Sequence, residues 1–93
     1  MTEDAARMIY RHDWAEVAPA VAVVRSVCDA ADLAVDELPL LNDTIDTDAL
    51  NRICTFSTNP HRPTVVSFIH AGHSVTVDGE GTVTVELSTE YAR

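Results

Sequence analysis

Four histidines and two cysteines are the side chains of this sequence best suited to metal binding or nucleophilic chemistry. They are His12, His61, His70, His73, Cys28 and Cys54. Zinc sites usually take two ligands from one short turn, at spacings such as Cys-x-x-Cys or His-x-x-x-His, and no pair here has either spacing. His70 and His73 instead flank Ala71-Gly72, where we expect them to form an exposed pair across a tight turn. The pattern predicts no metal site.

The two cysteines give no indication of nucleophilic chemistry or of a disulfide. A cysteine nucleophile needs an accessible thiolate beside a base. Cys28 and Cys54 lie on or beside the apolar stripes of two predicted helices, where a thiol usually packs as a small hydrophobic group. We therefore expect both thiols to be buried and reduced, and we expect neither a cofactor nor an enzymatic activity.

Two clusters of carboxylates resemble functional sites, but each has a structural explanation. Residues 78–81 (Asp-Gly-Glu-Gly) lack the twelve-residue ligand ladder of a calcium loop and predict a hairpin turn. Asp43, Asp46 and Asp48 could form an acid–base pair, yet Asp46 is well placed as the N-cap of a helix. Neither cluster predicts a catalytic residue.

The charge balance is strongly acidic. Fifteen Asp and Glu face six Arg, without any Lys, which gives a net charge of -9. Such a surface is tolerated in molar salt, because at about 1 M salt the Debye length is only about 3 Å. The six arginines are scattered and aromatic residues are few, so the sequence offers neither a basic stripe nor a stacking platform for nucleic acid. The composition predicts a chain adapted to high salt and makes nucleic acid an unlikely partner.

Two helices are predicted in the first two thirds of the chain. The first begins at Pro19, continues to about residue 33, and has an apolar stripe formed by Val17, Val21, Val24, Cys28 and Ala31. The second begins after Asp46, ends near Ser57, and has a buried side formed by Ala49, Leu50, Ile53 and Phe56. The proline-containing segment between them should not be helical throughout.

Three strands are predicted at residues 64–70, 73–77 and 82–87, with turns at Gly72, Gly79 and Gly81 that call for positive φ. Valine and threonine alternate along the last two, so one sheet face should be apolar and the other rich in hydroxyls. Residues 7–12 could add a fourth strand or be an extended lead-in. The prediction is one α+β domain over residues 1–93, with a core at 10–87 and a frayed end at 88–93. Its two helices pack on one face of a three- or four-stranded antiparallel sheet.

Three segments, in this order and spacing, resemble a known family. They are DELPLL at 36–41, IDTDAL at 45–50 and SFIHAGHSVTVDGEGTVTV at 67–85. Together they make the chain similar, over about residues 10–87, to the haloarchaeal output domain, type 1. The resemblance implies a small domain found alone or behind receiver and sensor modules in halophilic archaea, with a role in signalling output. It implies no activity, cofactor or catalytic residue.

The function favoured by these observations is a non-enzymatic interaction module that acts through another protein. A transcription-related domain that contacts DNA is the alternative, and a small ligand-binding domain is the second. Leu40, beside Pro39, is the candidate contact, since the segment around them has no helical stripe to bury all of its leucines. In the competing interpretation, Leu38 and Leu41 fill the gap between the helices and the sheet.

No signal peptide or transmembrane stretch is visible, so we expect a cytoplasmic location. The oligomeric state stays open.

Overall fold

The computed structural model describes residues 7–55 and 64–87, and these form two helices and four strands. The elements are, in chain order, β1 (Arg7–Arg11), α1 (Pro19–Ala31), α2 (Thr47–Thr55), β2 (Val65–His70), β3 (His73–Asp78) and β4 (Thr82–Leu87), with short 3-10 turns at Val35–Glu37 and Leu41–Asp43. This order confirms the predicted α+β class. The frayed end predicted at 88–93 lies outside the described residues, as do Phe56 and Ser57.

The four strands form one antiparallel sheet in the order β1-β4-β3-β2. The segment left open by the sequence is therefore a strand, and it pairs with β4, placing Ile9 opposite Thr84. Tyr10 also joins β1 to α1, since its hydroxyl donates to Asp29 Oδ2 at 2.7 Å. Burial, followed by this bond and the charge of Asp29, raises the pKa of Tyr10 to about 12, so the hydroxyl stays a donor. β1 and β2 are the two edges of the sheet.

The two faces of the sheet differ as the alternation predicts. Val75, Val77, Val83 and Val85 are completely buried beneath the helices. The opposite face carries the hydroxyls of Ser67, Thr76 and Thr84 in one cross-strand row, because consecutive strand residues point to opposite sides. The core consequently lies between the valine face and the helices, and the hydroxyl face is open.

α1 begins at Pro19 as predicted, and the predicted stripe is correct in part, since Cys28 is buried and Val17 and Val24 pack against the core. The buried residues are Pro19, Ala22, Val23, Ser26, Val27 and Cys28, whereas Val21 is 44% exposed. Alanine and valine follow each other so closely here that two neighbouring stripes both satisfy the helical period. Packing against the sheet selects the stripe through Val23 and Val27, and α1 ends at Ala31, not near residue 33.

Asp46 stands at the N-terminus of α2, where its Oδ1 accepts from the N–H groups of Asp48 and Ala49 at 3.0 and 3.2 Å. Leu50 and Cys54 are buried. Ile53, predicted on the buried side, is 46% exposed, because it lies on the flank of α2 that faces away from α1. Asn51 marks the opposite flank, since its side chain accepts from Ala20 N–H of α1 at 2.9 Å.

The predicted positive φ is confirmed at Gly72 and Gly81 but is wrong at Gly79. Ala71 and Gly72 adopt φ of 54° and 80°, so an alanine shares the left-handed region with the glycine. In the second turn only Gly81 does so, with φ of 106°, while Gly79 does not. The reason is Asp78, whose Oδ1 accepts from the N–H groups of Glu80 and Thr82 and shapes the turn without a second left-handed residue.

Candidate interaction surface

The interhelical segment, residues 32–46, is attached to the core by two leucines. Leu38 and Leu41 are buried, as the competing interpretation of this segment predicts. Two 3-10 turns, Val35–Glu37 and Leu41–Asp43, lie immediately before and after residues 38–40. Short turns of this kind satisfy their backbone groups locally, so the segment stays compact without a long helix. Its path across the helix–sheet boundary is therefore fixed on both sides of Pro39 and Leu40.

A buried histidine provides a further attachment. His70, at the end of β2, is only 1% exposed. Its Nε2 lies 3.0 Å from the carbonyl oxygen of Pro39, and its Nδ1 lies 2.7 Å from the Thr44 hydroxyl. Because a carbonyl can only accept, Nε2 carries the proton and donates; in the neutral ring, Nδ1 then accepts from Thr44. One imidazole thus binds the chain on both sides of Leu40.

Leu40 lies between these attachments and points into solvent. It is 72% exposed, and Pro39 beside it is also exposed. We call Pro39 and Leu40 the Leu40 patch. A large apolar side chain can be exposed by chance, but here Leu38, Leu41 and the His70 bonds fix the backbone around it. The patch is therefore a preorganised apolar projection.

His70 is the residue of this surface that the sequence analysis placed wrongly. It does pair with His73 across the Ala71-Gly72 turn, but the pair is not exposed. The two-residue alternation of the strand does predict a buried His70, because Val66, Phe68 and His70 all face the inner side of the sheet. His73 is half-buried, and its Nδ1 is buried without a hydrogen bond to any described residue. Burial, and then the electrostatic influence of His70, lower the pKa of His73 below 6.5.

At the opposite end of the sheet, His12 contacts Ser26 and Trp14. His12 Nε2 lies 3.1 Å from the Ser26 hydroxyl, and the His12 ring stacks on Trp14 with centroids 6.0 Å apart. Trp14 Nε1 donates to the carbonyl of Asp78 at 3.0 Å. A serine–histidine pair can act as a nucleophile, but Ser26 is buried at the helix–sheet interface and a substrate could not reach it. The cluster joins β1, α1 and the β3–β4 turn.

Burial and nearby carboxylates both disfavour the thiolate form of the two cysteines. Cys28 and Cys54 are both buried and unpaired. Burial, followed by the charge of Glu37, raises the pKa of Cys28. Burial, followed by the charge of Asp78, raises the pKa of Cys54 to about 11. Both thiols are therefore protonated at neutral pH. A protonated thiol is a weaker nucleophile and a weaker metal ligand than a thiolate.

A concavity close to the Leu40 patch is acidic and shallow. It has a volume of about 410 Å³ and is lined by Asn42, Asp43, Thr44, Ile45, Asp46 and Asp48. Asp46 already uses its carboxylate as a helix cap. In the part of the chain that the structure describes, no group of three or more His, Cys, Asp or Glu side chains is arranged to hold a metal ion.

Positive charge is dispersed over three elements in the described ranges. Arg7 and Arg11 are on β1, Arg25 is on α1 and Arg52 is on α2. Arg7 forms an ion pair with Glu86 at 3.0 Å. These positions do not combine into a stripe that could follow a phosphate backbone. Within residues 7–55 and 64–87, neither helix has the length and apolar character needed to cross a membrane.

Comparison with known proteins agrees with the resemblance carried by the three sequence segments. The family model described as Halobacterial output domain 1 matches residues 15–87, which is 73 of the 93 residues. No curated protein and no solved structure matches the chain. The match includes α1, the interhelical segment with the Leu40 patch, α2 and the last three strands. The chain therefore belongs to the Halobacterial output domain 1 family, which is described as an output domain of halobacteria.

Proposed function

We propose that this domain is a non-enzymatic output module that transmits a signal by binding another protein through the Leu40 patch. The observation that carries the proposal is the geometry of Leu40, which is 72% exposed between two buried leucines and the two His70 hydrogen bonds. Because the patch is already ordered, a partner gains apolar contact without a large cost for ordering the segment. A cytoplasmic location belongs to the same proposal and rests on the composition.

The surroundings of the patch favour a protein partner over DNA. Asp36, Glu37 and Asp43 are exposed on the same interhelical segment, and carboxylates there would repel phosphates. A partner with an apolar pocket bordered by basic side chains would suit both the leucine and the carboxylates. In molar salt the charges are strongly screened, so the apolar contact should supply most of the affinity.

A photo-crosslinking amino acid placed at position 40 tests this proposal in native halophilic cells. Ile9 is the matched control, since it is 62% exposed but lies on the open sheet face. We expect a discrete protein adduct from position 40 and none of the same mass from position 9. Adducts to DNA at position 40, equal adducts at both positions, or no adduct at position 40 would each count against the proposal.

A further inference from the structure

The two edges of the sheet differ in how well they resist pairing with another strand. β1 has arginine at both ends, Arg7 and Arg11, and charged side chains commonly protect an edge. β2, Val65–His70, has the sequence VVSFIH, which contains no Asp, Glu, Lys, Arg or proline. On the open face, its Val65 and Ile69 are 58% and 48% exposed. An uncharged apolar edge of this kind is suited to accept a further strand.

Within residues 7–55 and 64–87, the backbone groups of β2 that do not bond to β3 lie at alternate residues. Gly79 N–H donates to the carbonyl of Thr64 at 2.9 Å. In an antiparallel ladder the residues that bond to the neighbour alternate with those that face away. Val66 and Phe68 therefore bond to β3, and Val65, Ser67 and Ile69 direct their N–H and C=O groups to the outer edge.

We propose that two copies of this chain pair through β2, antiparallel, about a twofold axis at Ser67. In that register Ser67 faces Ser67 of the second copy, and Val65 faces Ile69 of the second copy. All the outward backbone groups of these three residues then find partners, and the four-stranded sheets join into one of eight strands. On the inner face, half-buried Val66 and Phe68 meet across the same axis. The strand is thus complementary to itself in one register.

The position of α2 supports a second copy as the occupant. α1 contacts β3 and β4 and bonds to β1 through Tyr10, which leaves the β2 side of the inner face for α2. α2 begins near the His70 end of β2 and ends near the Val65 end. The first follows from Thr44, which precedes α2 and bonds to His70 at 2.7 Å. The second agrees with the electrostatic influence of Asp78 on Cys54 near the end of α2.

A twofold axis at Ser67 sets the two α2 helices side by side and antiparallel. In that arrangement the dipoles of the two helices oppose each other favourably. The half-exposed flank of α2 that includes Ile53 faces this junction. Elsewhere, a net charge of -9 on each copy opposes close approach. Charge therefore favours this edge over the rest of the surface for self-association.

Sedimentation equilibrium of the full chain in 2 M KCl tests the proposal. We expect a dimer for the natural sequence and a monomer for Ser67→Pro, which removes an N–H that faces outward and not a bond to β3. The matched control is Ile9→Pro, because His12 N–H donates to Gly81 and the same alternation turns the Ile9 N–H outward on β1. This control should remain dimeric. The proposal would be overturned if the natural chain stayed monomeric at high micromolar concentration. It would also be overturned if Ser67→Pro and Ile9→Pro lost the dimer equally.

Disulfide trapping gives an answer even if Ser67→Pro fails to fold. Facing residues in a hydrogen-bonded antiparallel pair have Cα atoms about 5.5 Å apart, within reach of a disulfide. Ser67→Cys should form a covalent dimer under mild oxidation, since the natural thiols are buried. Thr84→Cys, on the same face but two strands further from the edge, should not. Absence of the covalent dimer in Ser67→Cys, or equal yields from both variants, would contradict the pairing.

Discussion

The two ends of the sheet each attach an irregular segment with a histidine, but the two histidines hold different kinds of side chain in place. At the β3–β4 turn, His12 bonds to Ser26 and stacks on Trp14, whose indole bonds to Asp78. At the other end, His70 bonds to Pro39 and Thr44, on either side of exposed Leu40. At the first end, the large side chains bond and stack with one another and hold the elements together. At the second end, the buried His70 holds the backbone around Leu40, whose side chain is exposed.

Exposed apolar residues on a small domain therefore differ in what their surroundings imply. Val21 and Ile53 are exposed on regular helices, where some side chains must face outward. Leu40 is exposed at a position where the His70 hydrogen bonds and buried Leu38 and Leu41 hold the backbone on both sides. We call the end of the sheet at the β3–β4 turn the cohesive end and the end at His70 the presenting end.

Salt should have the largest effect and should act unequally on the two ends. Residues 32–46 carry Asp32, Asp36, Glu37, Asp43 and Asp46 without any Arg, and Arg7–Glu86 is the ion pair found in the described residues. We expect the melting temperature to rise substantially from 0.1 M to 2 M KCl, as carboxylate repulsion is screened. Amide hydrogen exchange should show the largest gain in protection in residues 40–46. A flat melting temperature would refute the salt adaptation.

Gly81→Ala should be the most destabilising single change at the cohesive end. A Cβ at Gly81 would overlap the carbonyl oxygen of His12, and φ there is 106°. The backbones of β1 and the turn would have to separate, so we expect a loss of roughly 3 kcal/mol or more, or failure to fold. The control is Gly79→Ala, which lies in the same turn without a positive φ and should cost much less. Urea unfolding in 2 M KCl would measure both, and equal losses would contradict this account of the turn.

His70→Leu should be the next largest effect, at the presenting end. It removes two hydrogen bonds, to the Pro39 carbonyl and the Thr44 hydroxyl, at a cost of about 1 kcal/mol each and about 2 kcal/mol together. Thr44→Val removes only the bond to Nδ1 and should cost about 1 kcal/mol. Urea unfolding in 2 M KCl compares the two. A His70→Leu variant as stable as the natural chain would show that the imidazole does not hold the segment.

The fold was predictable because its main determinants are local. Alternating valine and threonine define the strands and their faces, and Pro19 and Asp46 mark the starts of the helices. Positions where two patterns compete were not predictable. Ala–Val repetition in α1 satisfies two stripes, and only contact with the sheet chooses between them. The exposure of Ile53 likewise depends on where α2 lies relative to α1.

The candidate surface was predictable in outline and not in mechanism. Three leucines around one proline indicate that some are buried, and the structure buries Leu38 and Leu41 and exposes Leu40. The bond from His70 to Pro39 joins residues 31 positions apart, and no local pattern encodes it. The contact between Gly81 and His12 has the same origin, since a close approach of two distant backbones is set by tertiary packing.

A smaller effect should follow from the pH response of His73. The folded state lowers its pKa, through burial and then His70, so the unfolded chain binds protons more readily. The stability contribution of the neutral form is therefore complete above about pH 6.5 and decreases as the pH falls toward the lower folded-state pKa. We expect the urea midpoint in 2 M KCl to fall between pH 7.5 and pH 5. His73→Gln should show a smaller fall; an unchanged pH dependence would exclude His73 as a source.

The central claim, that Leu40 is presented and not packed, is tested most directly by comparing Leu40→Asp with Leu41→Asp. In urea unfolding at 2 M KCl, Leu40→Asp should change the free energy of unfolding by less than about 0.5 kcal/mol, as expected for an exposed site. Leu41→Asp places a charge in the core and should unfold the domain. The stable Leu40→Asp domain should then lose the adduct formed at a photo-crosslinker in neighbouring Pro39. If Leu40→Asp unfolds as Leu41→Asp does, or keeps that adduct, the account is contradicted.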